Sequence, residues 1–184
     1  MSTLSPYEVQ KAIKGSDEKT FELVFVTYFN KVKYFIYGLI KSEEDAEELA
    51  QDIFVKLWIN KESIDFDKNL NAYLHTIARN TTINYLKKKF THETYVNEQL
   101  HQEVVKESVE ESYYAQETDL LIKMAVSQMP ERRKEIFDLS RGKGLSNDDI
   151  AEKLGISKKT VENQLSLALN EIRKIINFFF FSFI

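Results

Sequence analysis

The sequence predicts an all-α protein: two small helical domains joined by an acidic linker. Three observations carry this. Gly (5) and Pro (2) are scarce in 184 residues, too few for a fold built on many turns, while the abundant Leu, Ile, Lys and Glu favour helices. Apolar residues recur at steps of three and four through several long stretches. One stretch breaks that pattern: "THETYVNEQLHQEVVKESVEESYYAQETD" (91–119) carries eight acidic residues, one lysine and no apolar face, the composition of a solvated tether with at most a transient helix. The implied boundaries are a first domain at 1–90, the linker at 91–119, a second domain at 120–177 and a hydrophobic tail at 178–184.

Ser5-Pro6 reads as an N-cap followed by proline at the first helical position, for a helix ending near Gly15. A second helix is expected from about Asp17 to Ile40, with Phe21, Val24, Phe25, Tyr28, Phe29, Val32, Phe35, Ile36 and Leu39 as its apolar stripe. Ser42, with Asp45 three residues on, predicts a capping box for a third helix to about Asn60. After the loop "KESIDFDKN", a fourth spans about Leu70 to Lys89. Beyond the linker the helical pattern returns at Leu120, is broken at Met129-Pro130, resumes in "ERRKEIFDLSR" and stops at "GKG".

The next stretch, "GLSNDDIAEKLGISKKTVENQL" (144–165), reads as two short helices joined at a glycine. Ser146 and Asp149 form a capping box; Ile150, Ala151 and Leu154 face inward; Gly155 supplies the left-handed turn; Ser157 caps a longer helix with Val161, Leu165 and Leu169 inside. Ala151, Gly155 and Val161 stand at helix-turn-helix spacing. Lys158, Lys159, Thr160, Glu162, Asn163 and Gln164 open the second helix. The lysines, threonine and amides suit phosphates and base edges in a major groove. Glu162 must pair with a cytosine amine or a neighbouring lysine to be tolerated there.

The first domain holds two helices of opposite charge. Residues 42–52 contain six acids, a surface that repels DNA and suits a basic protein partner. Ala46, Leu49, Ile53 and Leu57 form its inner stripe, and Glu48, Gln51, Asp52 and Val55 share an outward face. By contrast "NLNAYLHTIARNTTINYLKKKF" (69–90) contains no acid at all. Leu70, Leu74, Ile77, Ala78 and Leu86 face inward; Arg79, Asn80, Asn84, Lys87 and Lys88 offer a mix suited to phosphates and exposed bases.

Several classes fall away. There is no cysteine, so disulfides and thiolate metal sites are excluded, and the three histidines lack metal-ligand spacing. No nucleotide-binding loop, nucleophile–base set or paired-carboxylate pattern is visible, so neither catalysis, a cofactor nor a small-molecule substrate is expected. The opening stretch has no apolar core, so no signal peptide is expected and a cytoplasmic location is the default. Net charge is -4, so any nucleic-acid binding must be local to particular helices.

Taken together, these motifs resemble the extracytoplasmic-function group of bacterial RNA polymerase sigma factors. "DAEELAQDIFVKLW" is similar to the group's core-polymerase-binding helix, "NAYLHTIARNTTINYLKKK" to its promoter-melting and -10 helix, and "MPERRKEIFDLSRGKGLSNDDIAEKLGISKKTVENQL" to its -35-binding region. The resemblance implies that the chain binds core polymerase and directs transcription initiation. It places Glu48, Gln51 and Asp52 against the clamp helices of the polymerase's largest subunit, and Asn80, Asn84, Lys87 and Lys88 at the -10 element. It places "KESIDF" (61–66) at a flipped non-template base, and Lys158, Lys159, Thr160, Glu162, Asn163 and Gln164 at -35. This chain has Tyr73 and Asn84 where the family often has tryptophan and aspartate. "TVENQLSLAL" resembles the nutrient- and iron-uptake subgroup, which implies a membrane-anchored anti-sigma partner.

The competing reading is a stand-alone helix-turn-helix regulator with residues 1–90 as sensor or dimerisation module. The tail, "IINFFFFSFI" (175–184), is about half the ~20 residues needed to cross a bilayer. It is expected to extend the last helix and pack as core, with a latch between the domains as the sharper alternative.

Overall fold

The structure, a computed structural model, describes residues 11, 13–62, 70–97 and 109–181. Expectations about Ser5-Pro6, most of the "KESIDF" loop, the middle of the linker and the last three residues lie outside them. The described residues form helices joined by short turns, with no strand among them. The chain divides at Val96/Asn97 into a first unit and a second unit that runs to Phe180.

In the first unit, α1 (Glu18–Ile40) starts at Asp17, whose carboxylate accepts from the Lys19 amide (3.2 Å) and the Thr20 hydroxyl (2.6 Å). It ends at Lys41 in the left-handed conformation, where the backbone turns into α2. α2 (Glu43–Ile59) is capped by Ser42, whose hydroxyl oxygen accepts from the Asp45 amide (3.3 Å). α3 begins at Leu70 and runs to Asn97. Three stripes meet in the core: Val32, Phe35, Ile36 and Leu39 of α1; Ala46, Ala50, Ile53, Phe54 and Leu57 of α2; Leu74, Ala78, Ile83 and Leu86 of α3. Each large side chain so buried contributes about 1.5–3 kcal/mol relative to exposure.

In the second unit, α4 (Val109–Ser127) leads through Met129 to Pro130, which stands just before α5 (Glu131–Phe137). α5 passes into one widened π turn, Asp138–Gly142. α6 (Asn147–Leu154) and α7 (Lys158–Phe181) follow. Ala125, Met129, Ala168 and Ile172 form one core cluster, against which Ile175 and Ile176 also pack. Ile136, Leu139, Ile150 and Val161 form another, under the helix-turn-helix.

Two expectations need correction. The helices reach further into the acidic linker than expected: α3 continues through Asn97 and α4 starts at Val109, not Leu120. Extending an existing helix costs no new nucleus, so further residues can follow it without an apolar stripe of their own. Second, Leu169 is exposed, and the inner stripe of α7 is Val161, Ala168 and Ile172. At 3.6 residues per turn, repeated steps of four drift around the helix, whereas alternating fours and threes stay on one face.

The tail does continue the last helix as far as Phe181; Phe179 is fully buried and Phe181 is exposed. Among the described residues no helix is long and apolar enough to cross a membrane.

Candidate nucleic-acid and partner interfaces

The six carboxylates at the start of α2 sort into two sets of three. Glu43, Asp45 and Glu47 are held by neighbours. Lys33 of α1 donates from Nζ to Glu43 Oε1 (3.3 Å) and Glu47 Oε2 (3.1 Å), and these two partners, Glu47 first, raise its pKa above the usual lysine value. Asp45 is bonded to Ser42 and accepts from the Tyr85 hydroxyl (2.9 Å); both bonds hold its carboxyl below the usual range.

The other three, Glu44, Glu48 and Asp52, recur every fourth residue, stand exposed and make no ion pair among the described residues. Gln51 and Val55, both exposed, lie among them, so the five positions share about 100° of arc. Like charges four apart on a helix repel by a few tenths of a kcal/mol, a cost that a basic partner would remove. Sequence reading missed Glu44, which the four-residue spacing from Glu48 could have found.

Beside this stripe, α1 and α2 leave an apolar groove of about 550 Å³. Phe54 is its floor, Phe21, Phe25, Val55 and Trp58 line it, and Glu18, Glu22 and Gln51 edge it. The rings interlock: Phe21 and Trp58 centroids are 4.7 Å apart, Phe25 and Phe54 5.2 Å in a T-shaped contact. Lys61 Nζ sits 3.9 Å above the Trp58 ring. Phe21 and Phe25 belong to the expected apolar stripe of α1, yet both are only half-buried. No single-helix periodicity could have shown this, because the groove needs both helices.

On α3 the exposed stripe is Asn80, Asn84 and Lys88, again at four-residue spacing. Arg79 and Lys87 are half-buried. Behind the stripe, Thr82 is fully buried and its hydroxyl donates to the Ala78 carbonyl (2.8 Å). His75 packs edge-on against Phe35 at 5.2 Å. Burial first, then the bond to Asp45, pushes the Tyr85 phenol up to about 12.

The helix-turn-helix is built by local bonds. Ser146 accepts from the Asp149 amide (3.2 Å) while Asp149 accepts from the Ser146 amide (3.3 Å), a complete capping box. Gly155 is left-handed (φ 63°). Its amide donates to Glu152, and the Ile156 amide donates to the Ala151 carbonyl (3.0 Å). That paired arrangement closes the helix and folds Ile156 back on the core. Ser157 then caps α7, accepting from the Thr160 amide (3.1 Å).

Lys158, Lys159, Thr160 and Asn163 are exposed at the start of α7. Lys158 pairs with Asp148 of α6 (2.8 Å), which raises its pKa, and Lys159 pairs loosely with Glu162 (3.7 Å). Gln164 is turned inward. It is half-buried, and its amide oxygen accepts from Arg133 Nε of α5 (3.1 Å). The same guanidinium donates to Glu171, and the adjacent Arg132 donates to the Leu154 carbonyl (2.9 Å). α5 thus holds both helices of the motif.

Comparison with known proteins bears on both units. Residues 24–90 match the family model "Sigma-70 region 2" and residues 119–172 match "Sigma-70, region 4". The chain is 23% identical to RNA polymerase sigma factor SigZ of Bacillus subtilis, over 81% of this chain and 82% of that one. It is 24% identical to ECF RNA polymerase sigma factor SigW of the same organism, over 89% and 92%. It is 26% identical to the ferric citrate uptake sigma factor FecI of Escherichia coli, over 82% and 87%. Region 2 falls on the unit with the acidic and basic helices and region 4 on the unit with the helix-turn-helix, in the order such factors carry them. The chain belongs to the sigma-70 family, as an extracytoplasmic-function sigma factor that directs promoter recognition and transcription initiation.

Proposed function

We propose that the two helices of opposite charge in the first unit divide the work of initiation. The outward stripe of α2, Glu44, Glu48, Gln51, Asp52 and Val55, captures core polymerase, with the adjoining aromatic groove receiving apolar side chains of the same partner. The stripe of α3, Asn80, Asn84 and Lys88, flanked by Arg79 and Lys87, engages the melted -10 strand. The start of α7, Lys158, Lys159, Thr160 and Asn163, meets the -35 duplex. Gln164 and Glu162 act there by holding neighbours in place. The single observation that carries this is the charge contrast: an exposed row of acids on α2, unpaired among the described residues, beside an α3 core segment (70–90) without one acid. The acids repel phosphate and attract a basic protein; the amides and lysines do the reverse.

The protein works by binding, without catalysis. The similarity to FecI supports the nutrient-uptake subgroup, and with it a cytoplasmic factor held by a membrane-anchored anti-sigma partner. A mobility-shift titration on promoter DNA, with and without core polymerase, tests the core of the reading. The expected result is weak binding alone and a specific, heparin-resistant complex with polymerase. High-affinity operator binding by the isolated chain would instead favour a stand-alone regulator.

A further inference from the structure

We propose that Tyr85 is a positioning residue that couples polymerase capture to promoter opening. Its hydroxyl, donated to Asp45, sets the DNA-facing stripe of α3 in fixed register with α2. This rests on the assignment of α2 to polymerase and α3 to the -10 strand.

The bond joins residues 40 apart in sequence across two functional helices, at 2.9 Å and partly buried. Both of its ends are set in place. Asp45 sits one residue from Glu44 and three from Glu48, and its carboxylate is steadied by Ser42 at the helix cap. Tyr85 follows Asn84 directly, precedes Lys88 by three, and has Lys89 Nζ 5.8 Å from its ring centre. So the same short span of each helix carries the outward contact residues and the inward bond.

Apolar packing is non-directional and tolerates small rotations and slides between helices. A charge-assisted hydrogen bond is directional and weakens steeply as its angle opens. Promoter melting loads this joint: the α3 stripe must hold an unstacked strand while α2 stays fixed to polymerase. A phenol held to a carboxylate resists the rotation that such a load would produce. The shift of the phenol to about 12 keeps it a donor throughout the physiological range. Asp45, held below the usual carboxylate range, remains an acceptor.

Tyr85→Phe removes the donor and keeps the ring. In the assembled holoenzyme we expect polymerase affinity and initial duplex binding within twofold of wild type. The rate of open-complex formation, followed by permanganate reactivity of the -10 thymines, should fall about tenfold, in line with one lost bond to a charged group. On a promoter already unpaired across the -10 element the variant should match wild type, which a merely destabilised fold would not do. Asp45→Ala should reproduce the defect, and the double variant should be no slower than either single one. Opening at the wild-type rate by Tyr85→Phe, or an equal loss on duplex and pre-melted templates, would overturn the proposal. Failure of the underlying assignment shows differently: polymerase capture would then survive charge reversal on α2, whatever Tyr85→Phe does.

Discussion

The outward acids of α2 and the lysines that open α7 are both surface charge, yet they are prepared in opposite ways. Glu44, Glu48 and Asp52 make no ion pair among the described residues, while Lys33 pairs with Glu43 and Glu47. At the start of α7 both lysines already have a carboxylate: Asp148 for Lys158, Glu162 for Lys159. The first surface gains its full electrostatic attraction on meeting a basic partner. The second must give up its own pairs before phosphate gains from them. Exposed pairs are worth only about 0–1 kcal/mol, so the exchange is feasible, but it lowers the net gain from each contact. On the proposed assignment, this difference predicts a weaker grip on -35 DNA by the free protein than on polymerase.

The comparison can be broken most severely at α2. Reversing Glu48 and Asp52 to lysine should weaken capture of core polymerase roughly hundredfold at moderate salt, because like charges then face each other across the interface. Circular dichroism should show the helices intact, since both side chains are exposed. Capture unchanged in a pull-down titration would remove α2 from the interface.

The next largest effect belongs to Arg133. Its guanidinium is only 15% exposed and binds both Gln164 and Glu171. Arg133→Met keeps the bulk and removes every donor, and should cost the second unit about 2 kcal/mol in a denaturant titration. It also releases Gln164 to swing outward, so sequence preference at -35 should change along with stability. A loss below about 0.5 kcal/mol would mean the guanidinium only covers the surface.

The smallest effect sharpens the contrast on α7 itself. Asp148→Asn frees Lys158, and duplex affinity at low salt should rise about two- to threefold. The slope of log affinity against log salt should steepen by about one contact's worth. An unchanged slope would show that Lys158 does not reach phosphate.

Much of this architecture was legible because it is local. The Ser146–Asp149 box, the left-handed Gly155 and the Asp17 and Ser42 starts each depend on residues within four of one another. Their positions came out within a residue or so. What resisted sequence reading depends on partners far along the chain. Phe21 and Phe25 fit an apolar stripe, but beside Phe54, Val55 and Trp58 of α2 they line a groove. Gln164 lies three residues after Val161, at the edge of the buried stripe. Only the reach of Arg133, 31 residues earlier, decides that it turns in. The division of six acids into paired and unpaired sets likewise required Lys33 and Tyr85, from α1 and α3, to be set in place. The extra turns on α3 and the early start of α4 went unseen because a polar helix continuing an existing one carries no apolar signature.

α7 is a single unbroken helix from Lys158 to Phe181. Its 24 residues make a rod about 36 Å long. Helices bend sharply at proline, at glycine–serine pairs or at widened turns, and α7 contains neither proline nor glycine. The lysine-bearing end, proposed to meet DNA, and the end rich in phenylalanine therefore belong to one continuous rod, buried at Val161, Ala168, Ile172 and Phe179. A helix without a hinge passes a sideways load on its aromatic end along its length to the core contacts of Ile172, Ala168 and Val161 instead of absorbing it in between. On the proposed assignment, what the phenylalanines pack against bears on how the promoter is held, without their approaching it.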